Sequence, residues 1–366
     1  MTPSSQPEPP STTREAPWTV RRLLDWIRNF LGDRDVDSPR VCAELLLAHV
    51  LDCDRLRLYM TPDHEPTAEQ LATLRALVAR AGAHEPVQYL VGSWPFHGRE
   101  FEVSPVTLIP RPSSELLVDR AFGELRSRGP DRDWTLLDLC TGTGCIGISL
   151  LALLDSTRRG PISQRSASPP TDPPHDPAST PGEDVVFDLD LNQRDPSPPR
   201  PAEVVESTTP TDRHGELRMI ATDIDTEILR LAGRNAETHG VDGFLEFREG
   251  SLFEPLADSE RGTFDVICAN PPYVSDAEFE ALDRNVRDYE PARALRGGAD
   301  GLQFVRPILR SAPDWLAPGG LLLLELATAS ADRVLEEARR LGAFAELRIE
   351  SDHEDLPRML FARRTP

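Results

Sequence analysis

The chain of 366 residues contains no lysine, so all 40 of its basic residues are arginines. The absence of lysine excludes Schiff-base catalysis and the phosphate-binding lysine of P-loop proteins. Acidic residues number 61, which gives a formal net charge of −21. Since a chain this negative is repelled by a phosphate backbone, we expect no direct binding to nucleic acid.

Cysteine is also scarce, and none of the five forms a Cys-x-x-Cys pair; they are Cys42, Cys53, Cys140, Cys145 and Cys268. This scattered, odd count predicts reduced thiols, and we predict no metal site. Apolar runs of about 18–20 residues, long enough to span a membrane, are lacking, and the first ten residues have no signal-peptide core. We therefore expect a cytoplasmic protein without membrane partners. Separately, we expect a monomer.

The N-terminal third of the chain divides by composition and periodicity. Residues 1–16 are rich in Ser, Pro and Glu and are predicted to form a disordered tail. Apolar residues recur at helical spacing through residues 17–85, which predicts a small helical domain. Residues 86–112 are aromatic and rich in β-formers, so we predict a β-rich connector with strands near 87–90, 94–96 and 101–103.

From residue 113 onward, strand and helix patterns alternate, with Ser113 or Ser114 expected to cap the first helix. Strands are predicted at 134–139, 217–222, 244–248, 264–269, 321–326, 344–350 and 359–362. Alternation of this kind predicts a doubly wound α/β sheet, and we assign residues 113–366 to this domain. Residues 156–215 interrupt it with 12 of the 35 prolines, so we predict a disordered insertion there.

The most informative motif is Asn270-Pro271-Pro272-Tyr273, directly after the apolar strand predicted at 264–269. Open α/β sheets bind ligands at the carboxyl ends of their strands. Two successive prolines remove two backbone donors and leave carbonyl oxygens as acceptors, while Asn270 adds a side-chain acceptor. The motif therefore predicts a site for a planar group that carries an NH2, such as an amide or an amino-purine.

A second loop follows the strand predicted at 134–139. Glycines at 142 and 144 let a ligand approach the backbone closely. Asp223, at the end of the next strand, is placed to accept hydrogen bonds from both hydroxyls of a ribose. Asp138 would suit a cationic amino-acid moiety better than a pyrophosphate, which favours S-adenosylmethionine over NAD as the cofactor.

These motifs together closely resemble the protein glutamine methyltransferases of the PrmC/HemK type. The resemblance rests on 136–144, 221–223 and 270–274, and extends to Pro86-Val87-Gln88-Tyr89-Leu90-Val91-Gly92, Leu108-Ile109-Pro110-Arg111-Pro112 and Glu290-Pro291-Ala292-Arg293-Ala294-Leu295. It covers roughly residues 18–155 and 216–364. It implies a Rossmann-like class I methyltransferase sheet, with a small N-terminal helical domain that recognises the substrate.

The resemblance also implies the roles of the site residues. The Gln of the Gly-Gly-Gln motif in class-1 peptide chain release factors would be methylated on its side-chain amide. The catalytic residues implied are Asn270, Pro271, Pro272 and Tyr273. The S-adenosylmethionine-binding residues implied are Asp138, Cys140, Thr141, Gly142, Thr143, Gly144, Asp223, Ser251, Leu252 and Asn270. The family usually carries acidic residues where Ser113 and Ser251 stand here.

Three other interpretations stay open from the sequence. The Leu-Cys-Thr-Gly core gives some support to glutamine methylation of a large-subunit ribosomal protein, although the helical domain and the connector favour release factors. Amino-adenine methylation of DNA uses the same tetrapeptide, but the acidic balance argues against it. A catalytically silent adenosyl-binding or scaffold protein is disfavoured by the intact motifs at all three sites.

Overall fold

A computed structural model describes residues 17–129, 132–158 and 215–366. The predicted tail at 1–16 and residues 159–214 of the predicted insertion lie outside these ranges. The N-terminal region forms four helices, α1 (Val20–Gly32), α2 (Pro39–Leu51), α3 (Arg55–Met60) and α4 (Ala68–Ala81). Their apolar faces share one buried core, to which Ile27, Leu46 and Leu74 contribute. The predicted N-terminal helical domain is confirmed.

The connector contains one helix that the sequence pattern did not predict. Val87–Val91 forms α5, whereas the expected hairpin is present as β1 (Ser93–Phe96) and β2 (Arg99–Glu102), paired antiparallel. The prediction of a strand at 87–90 is therefore wrong. A short apolar run cannot be assigned by periodicity alone. Here Val87 and Leu90, three positions apart, are both buried against the helical domain.

The remainder of the described chain is a seven-stranded sheet with helices on its faces, which confirms the predicted Rossmann-like fold. Its strands are β3 (Trp134–Leu139), β4 (Leu217–Asp223), β5 (Leu245–Glu249), β6 (Phe264–Ala269), β7 (Leu316–Glu325), β8 (Phe344–Ser351) and β9 (Pro357–Arg364). The helices are α6 (Glu115–Ser127), α7 (Cys145–Arg158), α8 (Thr226–Thr238), α9 (Asp276–Glu280), α10 (Arg284–Arg287), α11 (Ala292–Leu295), α12 (Val305–Trp315) and α13 (Ala331–Leu341). Successive strand residues alternate between two buried cores, with Leu136 in one and Leu137 in the other.

The strand order β5-β4-β3-β6-β7-β9-β8 places the site. Strands β3 to β7 run parallel, and β9 is antiparallel to both of its neighbours. The chain winds outward in opposite directions from the β3–β6 boundary, and open α/β sheets bind ligands at such a switch point. Leu139 pairs with Thr222 on one side and with Ala269 on the other. Cys140 and the ends of β4 and β6 therefore lie at one level.

The predicted insertion joins α7 to β4 at the opposite end of the strands. Helix α7 continues to Arg158, so residues 156–158 are helical and do not belong to the predicted insertion. The Arg158 guanidinium donates to the Gly215 carbonyl oxygen over 2.6 Å and to the Arg132 carbonyl oxygen over 2.7 Å. Arg158 and Gly215, which flank residues 159–214, are therefore in contact.

Candidate active site

A cavity of about 310 Å³ opens at the carboxyl ends of the central parallel strands. It brings together most of the predicted site residues. Those that line it are Cys140, Thr141, Gly142, Thr143, Asp223, Ser251, Leu252, Asn270 and Pro272. Asp138, Gly144, Pro271 and Tyr273 are predicted site residues that do not line it. Four strand-end loops, distant in sequence, thus form one binding site.

The two loop glycines have different reasons for being glycine. Both adopt left-handed backbone conformations, with φ of +56° at Gly142 and +79° at Gly144. A Cβ on Gly142 would meet no described atom within 4 Å, because that position opens toward the cavity. A Cβ on Gly144 would lie 2.7 Å from Ile148 Cδ1. Gly142 therefore lets a ligand approach the backbone, and Gly144 lets the loop pack on α7.

Asp138 supports this loop from below instead of facing a ligand. Its Oδ2 accepts hydrogen bonds from Thr141 Oγ1 over 2.6 Å and from the Gly147 N–H over 3.3 Å. The carboxyl is buried, and burial raises its pKa to about 7. The expectation that Asp138 contacts a cationic amino-acid moiety does not match this placement. Strand alternation explains it, since Asp138 points toward α7, where Gly147 leaves room for the carboxylate.

Asp223 occupies the position expected of a ribose-binding acid, at the cavity wall where β4 ends. Its Oδ2 accepts from the Gly142 N–H over 3.0 Å, and its Oδ1 accepts from the Ile224 N–H over 2.8 Å. Burial raises the pKa of this carboxyl, although both backbone donors oppose the shift. The carboxylate thus joins the glycine loop to the end of β4 while it borders the cavity.

The side chain of Asn270 is held by a network that reaches across the sheet. Asn270 Nδ2 donates to Ser114 Oγ over 3.0 Å, and Ser114 Oγ donates to Glu325 Oε2 over 2.6 Å. The Tyr273 hydroxyl and Ser113 Oγ donate to Glu325 Oε1 over 3.1 and 3.3 Å. Neither serine makes the predicted side-chain cap of the following helix, because both hydroxyls bind this carboxylate instead.

The sequence pattern does not identify Ser114 and Glu325 as part of the site. A signal for Glu325 was present, because an acidic residue directly follows the apolar run 321–324. Ala269 pairs with Leu324 between β6 and β7, so Asn270 and Glu325 follow at one level on adjacent strands. That register joins residues 55 positions apart and could not be derived from local pattern.

Three sequence motifs meet at one rim of the cavity, and the sequence pattern does not predict their contacts. The Tyr89 hydroxyl donates to the Thr107 carbonyl oxygen over 2.6 Å. The buried Glu290 carboxylate accepts from the Ile109 N–H over 3.2 Å and forms an ion pair with the Arg111 guanidinium. The connector, the loop before α6 and the segment after the tetrapeptide are therefore tied together where Arg111 lines the cavity.

Comparison with known proteins agrees with this geometry. Residues 22–92 match the model of the PrmC N-terminal domain, and residues 121–281 match that of the RMKL-like methyltransferase domain. The release factor glutamine methyltransferase of Geobacter sulfurreducens is 35% identical over 89% of this chain and 90% of its own. That of Rhodopirellula baltica is 30% identical over 93% of this chain and 95% of its own.

This chain belongs to the release factor glutamine methyltransferase family. The resemblance stated from the sequence is confirmed, and the chain is a methyltransferase. The domain match also supports the expected use of S-adenosylmethionine. A solved methyltransferase from Pyrococcus furiosus aligns over 82% of this chain and 100% of its own, with 16% identity and a TM-score of 0.40.

The described ranges of this family member hold neither a metal-binding cluster nor a helix that could cross a membrane. Between residues 17 and 366, leaving aside 130–131 and 159–214, no group of three His, Cys, Asp or Glu side chains could hold a metal ion. Across those same ranges, each helix is too short or too polar to cross a membrane.

Proposed function

We propose that this protein methylates the side-chain amide of the Gln in the Gly-Gly-Gln motif of class-1 peptide chain release factors. The observation that carries the proposal is the orientation of Asn270 at the cavity. Its Nδ2 is bound to Ser114, and no group in the described part of the chain donates to its Oδ1. A free amide oxygen at this position suits a substrate that presents N–H groups.

The residues at the cavity fit S-adenosylmethionine as the methyl donor. Gly142 leaves open space beside the backbone, as a closely bound ligand requires. Asp223 would accept hydrogen bonds from the ribose hydroxyls, and Ser251 and Leu252 would border the adenine. When bound, the cofactor supplies a methyl group on a positively charged sulfur, which departs as a neutral thioether.

The chain's own residues would activate a weak nucleophile. The nitrogen of a glutamine amide is poorly nucleophilic, because its lone pair is delocalised into the carbonyl. Asn270 Oδ1 would accept one N–H of that amide. The Pro271 carbonyl oxygen, on the peptide bond to the cavity-lining Pro272, would accept the other and hold the nitrogen in place. As the new N–C bond forms, the nitrogen becomes more acidic and releases one proton to solvent. Positioning and electrostatic stabilisation carry this step.

The proposal assigns one role to each of three regions of the chain. Residues 17–85 would recognise the release factor, residues 86–112 would connect the domains, and residues 113–366 would carry methyl transfer. The ion pair between Arg111 and Glu290 supports this division, since it ties the connector to the rim of the cavity. The net charge of −21 makes a nucleic acid substrate unfavourable.

A competition assay tests the proposal. The full chain is incubated with S-adenosylmethionine labelled in its methyl group, together with a class-1 release factor, ribosomal proteins and duplex DNA in equal molar amounts. We expect the label on the release factor. Label on a ribosomal protein or on adenine in its place would overturn the assignment.

A further inference from the structure

Glu325 is a fully buried carboxylate beside the site, and the proposed methyl transfer assigns it no role. It ends β7, and its side chain is 0% exposed. Burying a carboxylate is unfavourable unless hydrogen bonds compensate it. Three hydroxyl groups donate to it, those of Ser113, Ser114 and Tyr273. Such a cluster needs an explanation that simple core packing does not give.

The donor and acceptor roles in this cluster follow from elementary chemistry. A carboxylate only accepts hydrogen bonds, and a serine hydroxyl has one proton. Because Ser114 Oγ lies 2.6 Å from Glu325 Oε2, that proton is directed to the carboxylate. The Ser114 oxygen is then left as an acceptor for Asn270, 3.0 Å away. Asn270 must therefore present its NH2 to Ser114 and its oxygen elsewhere.

We propose that Glu325 is a positioning residue that, through Ser114, determines which end of the Asn270 amide faces the cavity. The two ends of an amide have nearly the same shape, so packing alone does not distinguish them. Glu325 makes the distinction by polarity, because it fixes the direction of both hydrogen bonds that lead from Asn270 through Ser114 to its carboxylate. The inference rests on the proposed function, in which Asn270 Oδ1 must accept an N–H from the substrate.

The Glu325 carboxylate also binds the hydroxyl of Tyr273. This hydroxyl donates to Glu325 Oε1 over 3.1 Å, so one carboxylate holds the last residue of the tetrapeptide directly and the first residue through Ser114. Tyr273 does not line the cavity. Tyr273 would therefore contribute to the site indirectly, because its hydrogen bond to Glu325 fixes the end of the motif from behind the cavity wall.

The central test is a compensating pair of substitutions. Asn270→Asp places a second carboxylate against Ser114, whose single proton cannot serve both, so we expect a loss of kcat of about 10²–10³-fold. Glu325→Gln removes one of the two charges and can donate an N–H to Ser114, which then donates to the carboxylate that Asn270→Asp introduces. The double variant should therefore be more active than Asn270→Asp alone. A double variant no better than Asn270→Asp would overturn the proposal.

Single variants separate positioning from folding. Glu325→Gln keeps the shape but removes the fixed polarity, so kcat should fall about tenfold while the KM for the release factor and the Kd for S-adenosylmethionine stay within about twofold. Adjacent serines provide a matched pair, because both bind Glu325 but only Ser114 contacts Asn270. Ser114→Ala should lose more kcat than Ser113→Ala. Equal losses, or an unchanged kcat in Glu325→Gln, would contradict the assignment.

A readout without substrate distinguishes this inference from the proposed function. In ¹⁵N-labelled protein, the Asn270 side-chain amide resonance, identified by its absence from Asn270→Asp, should exchange with solvent more slowly in wild type than in Ser114→Ala. If wild type methylated no release factor but this difference held, the proposed function would fail and the positioning by Glu325 would stand. Equal exchange in both proteins would overturn the positioning.

Discussion

The backbone N–H of Gly142 donates a hydrogen bond to Asp223 Oδ2 over 3.0 Å, which joins the glycine loop to the end of the neighbouring strand. Both residues line the cavity, and they are 81 positions apart in the chain. A single carboxylate thereby shapes the loop and borders the cavity, where we propose that it accepts hydrogen bonds from the ribose of S-adenosylmethionine. Loss of this carboxylate should weaken the affinity for the cofactor more than it slows the methyl-transfer step.

Asp223→Ala should weaken S-adenosylmethionine binding by roughly 1.5–3 kcal/mol, the range for charge-assisted hydrogen bonds. Isothermal titration calorimetry measures this directly. Asp242→Ala is a suitable control, because Asp242 is an exposed acid outside the cavity and its loss should leave the affinity unchanged. An Asp223→Ala protein with wild-type affinity would remove Asp223 from the cofactor site.

Asn270→Ala should bind S-adenosylmethionine nearly as wild type does, yet lose roughly 10²–10³-fold in the rate of methyl transfer. The reason is that the variant keeps the glycine loop and Asp223 but lacks the acceptor for the substrate amide. Single-turnover rates at saturating cofactor separate the two effects. A variant that lost cofactor affinity and kept its rate would reverse the role assigned to Asn270.

Replacement of residues 160–212 by a short Gly/Ser linker should preserve the fold. Arg158 already reaches the Gly215 carbonyl oxygen, so the flanking chain ends are close without any long connection. Loop-closure free energy changes by only about 1–2 kcal/mol over such a length range. Thermal unfolding and cofactor titration of the shortened protein test this. Aggregation during purification, or lost cofactor affinity, would show that the segment has a structural role.

The N-terminal helical domain should lose stability in acid through Glu44. Burial by itself raises the pKa of this carboxyl, but hydrogen bonds from Tyr59, Arg55 and Arg40 outweigh it and lower the pKa to about 2. Because the folded pKa lies below its ordinary value of 4.5, the stabilisation is complete above pH 4.5 and disappears as the pH falls toward 2.

Glu44→Gln should therefore lower the free energy of unfolding at pH 7 by roughly 1.5–3 kcal/mol, as expected for hydrogen bonds to a charged group. The difference from wild type should shrink as the pH falls from about 4.5 to 2. Urea unfolding at several pH values measures it, with Glu65→Gln, at an exposed position, as the matched control. A difference that stayed constant with pH would contradict the assigned ion pairs.

The sequence predicted most of the cavity because its residues share a local signal. Cys140, Asp223 and Asn270 each directly follow an apolar strand, and parallel strands bring such residues to one edge of a sheet. The order of the strands could not be derived this way, but the position of the site did not depend on it.

The errors have a common origin in long-range contacts. Ser114 is suited to cap a helix, yet its hydroxyl binds Glu325, 211 positions away. Asp138 is suited to face a ligand, yet the alternation of its strand points it toward α7, where Gly147 leaves space. In both cases the side chain had two favourable partners, and only the packing of the sheet against its helices decides between them.

Methyl transfer to one defined amide is the decisive measurement for the proposed function. A class-1 release factor and its variant with Glu in place of the Gln of the Gly-Gly-Gln motif are each incubated with the full chain and S-adenosylmethionine, and the digested products are analysed by mass spectrometry. We predict a mass increase of one methyl group on the Gln-containing peptide of the first protein and none on the second. A methyl group found on the Glu variant, or on another residue of the wild-type factor, would contradict the account.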